Sequence, residues 1–161
     1  MATVSTATRS RLETQGFVDL DDQTLAQVGR WLRLAPAICA TWTAIGTALA
    51  SPFVLWALVP FAVVGAATRG HPFDVIYNHG IRHMLGTPHL PPYRAPRRFA
   101  CAVGSVWLTA TGLAFYAGLT ALGYVLGAGL VAAALTVTLT DFCIASFIYG
   151  LIFGKPASCG I

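Results

Sequence analysis

The stretch from Arg69 to Arg98, RGHPFDVIYNHGIRHMLGTPHLPPYRAPRR, decides the fold because of what lies on either side of it. It holds five of the ten basic residues, all four histidines and five of the nine prolines. Hydrophobic sequence flanks it, from Ala35 to Thr68 and from Phe99 to Phe153. A polar, proline-rich segment between two such blocks reads as a surface connection between two membrane hairpins.

Composition supports that reading. Apolar residues make up 56% of the chain and charged residues 10%, with a mean hydropathy of +0.68. Soluble domains carry about 25% charged residues, so most of this surface does not meet water. The net charge of +4 does not imply nucleic acid, because the basic residues flank apolar segments and no recognition motif accompanies them. The partner they suit is the lipid bilayer. Cys39, Cys101, Cys143 and Cys159 show no paired spacing, so no disulfide framework is expected. Arg9 and Arg11 precede polar residues, not the apolar core of a secretory signal.

Working outward from the connection, residues 1–19 are polar with little periodicity and read as a flexible tail. Residues 20–161 form one membrane domain. Asp21 or Asp22 caps an interfacial helix over 21–33, with Leu25, Val28 and Leu32 on one face. Trp31 belongs at headgroup level. Uncharged runs over 35–50 and 53–68, broken at Ser51-Pro52, give the first hairpin. Each arm spans roughly 24 Å against a core of about 30 Å, so the alternative is a hairpin that does not fully cross. Helices over 99–122 and 125–153 give the second hairpin, turning near Gly123-Tyr124. Ala110, Ala114 and Gly118 in one, and Gly129 and Ala133 in the other, form a small-residue packing seam. The fold class is therefore all-α: a polytopic membrane protein of four transmembrane helices with interfacial amphipathic helices.

Within the interfacial connection 69–98, Pro72 opens an amphipathic helix that Gly86 ends. Phe73, Ile76, Tyr77, Ile81 and Met84 share its apolar face, and Asp74, Asn78 and Arg82 form a polar row opposite. Arg97 and Arg98 anchor the next helix at the interface. With four crossings all ten basic residues, including Lys155, fall on one side. The positive-inside rule then places both termini in the cytoplasm.

The run Arg94-Ala95-Pro96-Arg97-Arg98-Phe99-Ala100 with Val103-Gly104, and the later Phe142-Cys143-Ile144-Ala145-Ser146-Phe147-Ile148-Tyr149, resemble motifs of the bacterial membrane family catalogued as domain of unknown function 4395. The resemblance covers roughly residues 24–153. It implies a four-helix protein of the bacterial inner membrane with no established activity. Its Cys-x-x-Cys-x-x-Tyr ending carries over at Cys143 alone, since Ser146 stands where family members often have a second cysteine.

Asp141 is the only acid inside the expected membrane helices. A carboxylate there faces a bundle interior or a partner; Thr138, one turn earlier, can satisfy it within the chain. Cys143 lies about 200° from Asp141 around a continuous helix, so the two face apart, and Ser146 shares the Cys143 side. His79 and His83, at i and i+4, are the weak candidates for a metal or tetrapyrrole, but no further ligand completes the set. No cofactor is predicted, and no phosphate loop or nucleophile elbow suggests an enzyme. The expected function is a non-catalytic accessory or assembly subunit, packed against a larger and possibly energy-converting membrane complex. The alternative is thiol-redox or sulfur handling through Cys143.

Overall fold

Long uncharged, apolar runs satisfy their backbone polar groups internally by winding into helices. A computed structural model describes residues 4–154, and every regular element in it is helical. Helices α3 (Leu34–Ala48) and α4 (Pro52–Ala67) make the first hairpin. Ser51 caps α4 by accepting from the Val54 N–H at 3.4 Å, with Pro52 in the first turn. Helices α7 (Ala95–Tyr116) and α8 (Thr120–Thr140) make the second, turning through Gly118 at φ +76° and not near Gly123-Tyr124, which lie inside α8. The hairpins pack side by side, α4 against α7 and α3 against α8. Among the described residues, only α7 and α8 are long and apolar enough to cross a membrane; α3 and α4, at 15 and 16 residues, are shorter.

The interior holds several polar side chains within a mainly apolar core, and the surface is strongly apolar. Thr43, Thr47, Ser105 and Thr111 are buried, while Phe53, Val106, Leu139 and Leu151 are about 70% exposed. A soluble protein rarely exposes a continuous apolar surface of this kind.

Several further expectations need correcting. The tail over 1–19 contains helix α1 (Thr6–Thr14), capped by Ser5, whose hydroxyl accepts from the Thr8 N–H. Its own composition could not sustain it. It is held by burial of Leu12 and Phe17 against Leu25, Val28, Leu32, Tyr77 and Tyr93 and by an Arg11 hydrogen bond to the Thr140 carbonyl at 2.8 Å. The helix expected over 21–33 is α2 (Asp22–Val28), capped by Asp21, followed after Gly29 by a 3₁₀ turn over Trp31–Arg33.

The connection is also different. Its helix is broken into α5 (Asp74–Ile76), a π-helical turn (Tyr77–Ile81) and α6 (Arg82–Leu85), closed by Gly86 at φ +63°. Asp74 is buried and Met84 is 89% exposed, so the expected polar row does not face outward as a unit. The Asp74 carboxylate turns back to accept from the His71 N–H at 3.0 Å. The Asn78 amide oxygen accepts from the Leu90 N–H, tying down the proline-rich return strand.

The largest correction lies at the end. The helix expected over 125–153 breaks at Thr140. Asp141 takes the left-handed conformation, φ +58°, and the Thr140 hydroxyl accepts from the Phe142 N–H. Helix α9 (Ile144–Phe153) then runs back along α7: the Ser146 hydroxyl donates to the Pro96 carbonyl at 3.2 Å, and Tyr149 stacks near Phe99. This reversal removes the reason for placing the chain beyond Phe153 on the side of the basic residues. Lys155 itself lies outside the described residues.

The close seam follows the expected stripe only in part: Ala114 is buried and a Cβ at Gly129 would meet Trp107 at 3.1 Å, while Gly118 has open space and the tightest approaches are at other glycines. Ala110 is exposed, whereas a Cβ at Gly112 would meet Trp56 Nε1 at 2.2 Å and one at Gly127 would meet the Thr47 side chain at 2.4 Å. Gly104, in the same helix as Gly112, has open space. Gly112→Ala should lower detergent-solubilised stability by about 1–3 kcal/mol through overpacking, while Gly104→Ala should be neutral or mildly stabilising. Thermal unfolding of both variants checks this; equal melting would remove the α4–α7 seam.

Candidate functional site

Arg97 sits in the first turn of α7, two residues after the helix begins. The proline-rich return strand delivers it beneath α1 and α2, and it is 5% exposed. Its guanidinium donates to the Gln15 side-chain oxygen and, at 2.8 Å, to the Leu32 carbonyl. It also lies over the rings of Phe17 and Tyr93, 5.2 and 5.0 Å from their centroids. Cation–π contacts are worth about 2 kcal/mol or more when desolvated. Among the described residues no carboxylate comes within ion-pair distance of it. The expected interfacial anchor is thus a buried cation, because the chain folds α1 over it. Arg98, beside it, behaves differently: it donates to the Ala66 and Ala67 carbonyls at the end of α4, where the helix dipole favours a cation.

Gln15 passes the network on. Its amide donates to the Asp141 carbonyl at 2.6 Å, and the Asp141 carboxylate takes a two-pronged grip from Arg33, Nε to Oδ1 at 2.7 Å and Nη2 to Oδ2. The base that answers Asp141 therefore comes from the same chain. Thr138 is not its partner, since that hydroxyl donates to the Ala134 carbonyl. Nor does Asp141 lie within a membrane helix; it occupies the break that turns α8 into α9.

Next to Arg97 is a cavity of about 430 Å³ bounded by α3, α4, α7, α8 and α9. Cys39 from α3, Cys101 from α7 and Cys143 at the start of α9 all line it, with His71 and Tyr93. Cys143 and Ser146 are buried, as expected of a shared side, but on a separate short helix; Ser146 is committed to Pro96. Cys39 Sγ lies 3.9 Å from His71 Nε2. A Cβ at Gly65 would meet His71 at 2.8 Å and the Cys101 sulfur at 3.2 Å, so only glycine lets the imidazole and this thiol close over α4. Burial, and then the charge of Arg97, push His71 down to about 4, so the imidazole is neutral. Burial raises Asp74 against the opposing hydrogen bond from the His71 N–H, and burial likewise raises Tyr93.

His79 and His83 take no part: both are exposed, one within the π turn and the other beyond it. No three His, Cys, Asp or Glu side chains among the described residues come together as a metal-binding group. Trp31 is half-buried, stacked 5.2 Å from Tyr77 under Arg30. The sequence reading missed Gln15, Arg33, Cys39, Cys101 and His71 as site residues. Charge marks Arg33, but it meets an aspartate only after the α8–α9 reversal, which an unbroken apolar run conceals.

Asp141 is left-handed and paired, so Asp141→Leu should destabilise the protein itself. The conformational cost alone is about 1–2 kcal/mol, and loss of the Arg33 pair and release of α1 add to it. Asp141→Asn, which tolerates this backbone, should cost less. Limited proteolysis within residues 4–20 reads the release of α1; equal protection in both variants and wild type would contradict the link.

No curated protein and no solved structure matches the chain. The family model described as Domain of unknown function (DUF4395) matches residues 29–153. That span contains Arg33, Arg97, Asp141 and the three cavity cysteines; helix α1 and Gln15 precede it. The motif residues quoted from Arg94 onward and from Phe142 onward fall within the match, and the chain belongs to the DUF4395 family.

Proposed function

We propose that this chain is a bacterial inner-membrane protein that handles thiols or sulfur through the cavity beside Arg97. The observation carrying this reading is the convergence of Cys39, Cys101 and Cys143, from three separate helices, on one cavity. A single buried thiol is ordinarily an inert core residue. Three of them around one space, beside a buried cation, is the feature that favours thiol chemistry over inert packing. Cys143 is also the N-cap of α9, without a side-chain capping bond of its own, where free backbone N–H groups favour negative charge.

The membrane placement rests on the exposed apolar surface of the bundle and on the two long helices. In this reading α3, α4, α7 and α8 all cross, the 3₁₀ turn before α3 helping its short arm reach the interface, and α9 re-enters beside α7. Arg11, Arg33 and Arg98 gather at one end of the bundle, at Thr140, Asp141 and the end of α4. By the positive-inside rule that end, with the N-terminal helix and the central connection, is cytoplasmic.

The accessory-subunit reading keeps one supporting observation. An apolar groove of about 670 Å³ on the outer side of the α3–α4 hairpin is lined by Trp42, Ile45, Phe53 and Val54, a place where a helix of a larger complex could pack. Asp141 no longer serves that reading as an anchor, because Arg33 holds its carboxylate. Co-purification of a defined membrane complex, lost on Phe53→Ser, would favour it.

Two measurements test the proposal. Topology reporters inserted at Gly86 and at Gly118 should give opposite sides; the same side for both would end the four-crossing arrangement. For the chemistry, protein purified from native membranes without reductant should carry an oxidised or sulfur-extended thiol at Cys143, Cys101 or Cys39 by peptide mass spectrometry. Cys143→Ala and Cys101→Ala should each abolish complementation of a deletion strain at normal membrane abundance. Unmodified thiols together with full complementation by the variant lacking all three would overturn thiol handling.

A further inference from the structure

The cavity has a polar end and an apolar body, and at the polar end no carboxylate among the described residues comes within ion-pair distance of Arg97; the buried Asp74 acts on it only at longer range. Burying a cation without a close counter-ion is costly. Arg97 meets only neutral acceptors, Gln15 and the Leu32 carbonyl, and two ring faces. His71, held neutral, adds no competing cation. A second observation points the same way. Ser146 ties the start of α9 to Pro96, beside Arg97, and Ile144 and Ala145 line the same cavity. Their N–H groups belong to the first turn, which has no intrahelical acceptor for them, and α9 has no side-chain cap. A guanidinium and oriented backbone donors at one end of an otherwise apolar space match a negative head on an apolar body.

Access runs sideways. The cavity walls include Ala132, Ile144 and Ile148, which are exposed on the outside of the bundle, where α8 and α9 part. A volume of about 430 Å³ suits a single-chain molecule and not a two-chain phospholipid. Small-molecule sites span roughly 300–1,000 Å³.

We infer that this cavity binds a single-chain amphipathic carboxylate of the fatty-acid type, taken from the bilayer, with its head at Arg97 and the α9 N-terminus. The inference rests on Arg97 and the cavity, not on the thiol reading, and concerns reversible binding only.

The test uses full-length protein, kept reduced, in detergent, with tritiated palmitate competed by unlabelled palmitate or by hexadecanol. Palmitate should compete at least tenfold more strongly than the alcohol, and Arg97→Gln should abolish that difference. Gly104 lines the cavity and has open space for a side chain. Gly104→Phe should therefore fill the cavity and reduce palmitate binding at least tenfold while the protein still folds, independently of whether Arg97→Gln is stable. Equal competition by acid and alcohol in the wild type would overturn the inference. So would undiminished palmitate binding in a folded Gly104→Phe variant. Because no covalent step is read, either failure leaves the thiol proposal standing or falling on its own measurements.

Discussion

The buried guanidinium of Arg97 is the constraint on which the rest of this structure depends. A cation at 5% exposure is tolerable only if its donors and charge are answered from several directions. Here the answers come from α1 through Gln15, from the α2 side through Leu32, and from the rings of Phe17 and Tyr93. The N-terminal helix, the helix before the first hairpin and the proline-rich return strand are thereby fixed around the start of α7. The polar cap that results is not a set of independent interfacial helices. It is one assembly seated on the cytoplasmic end in the proposed orientation.

The same network reaches the break between α8 and α9. Gln15 bonds both Arg97 and the Asp141 carbonyl, Arg33 grips the Asp141 carboxylate, and Arg11 takes the Thr140 carbonyl. A helix ending in apolar surroundings leaves carbonyls without partners. The cap supplies those partners, and the left-handed turn at Asp141 lets α9 double back. The reversal then does two things for the site. It opens the space between α8 and α9, and it carries Cys143 to the cavity that Cys39 and Cys101 already line. Structural polar groups and candidate chemistry are thus neighbours. Substitutions in the cap that leave α9 in place are informative about the chemistry, and those that free α9 are informative about the fold.

Much was legible in the sequence for a physical reason. Hydropathy and charge report which segments avoid water, so the two hairpins, their break at Ser51-Pro52 and the all-helical class followed from composition alone. The local boundaries were equally readable, because the cap at Asp21 or Asp22, the stop at Gly86 and the break at Ser51-Pro52 act through their own backbone neighbourhood, and the structure takes Asp21 as the cap. Family membership followed from short motifs that are strings of adjacent residues.

What only the tertiary structure decided are the features made by contacts across long separations. Helix α1 has too little apolar periodicity to be expected, and exists because Leu12 and Phe17 find a core supplied by residues as distant as Leu90 and Tyr93. The break at Asp141 carries no glycine or proline, and a run from 125 to 153 reads as one helix until Arg33 and Gln15 arrive to satisfy it. Arg97 reads as an anchor for headgroups because a sequence shows its charge and not what folds over it. The three cysteines, separated by 62 and 42 positions along the chain, share a cavity only because two hairpins and a reversed helix enclose it. Local preference and hydropathy are properties of neighbours along the chain, whereas burial of a charge is a property of the whole fold.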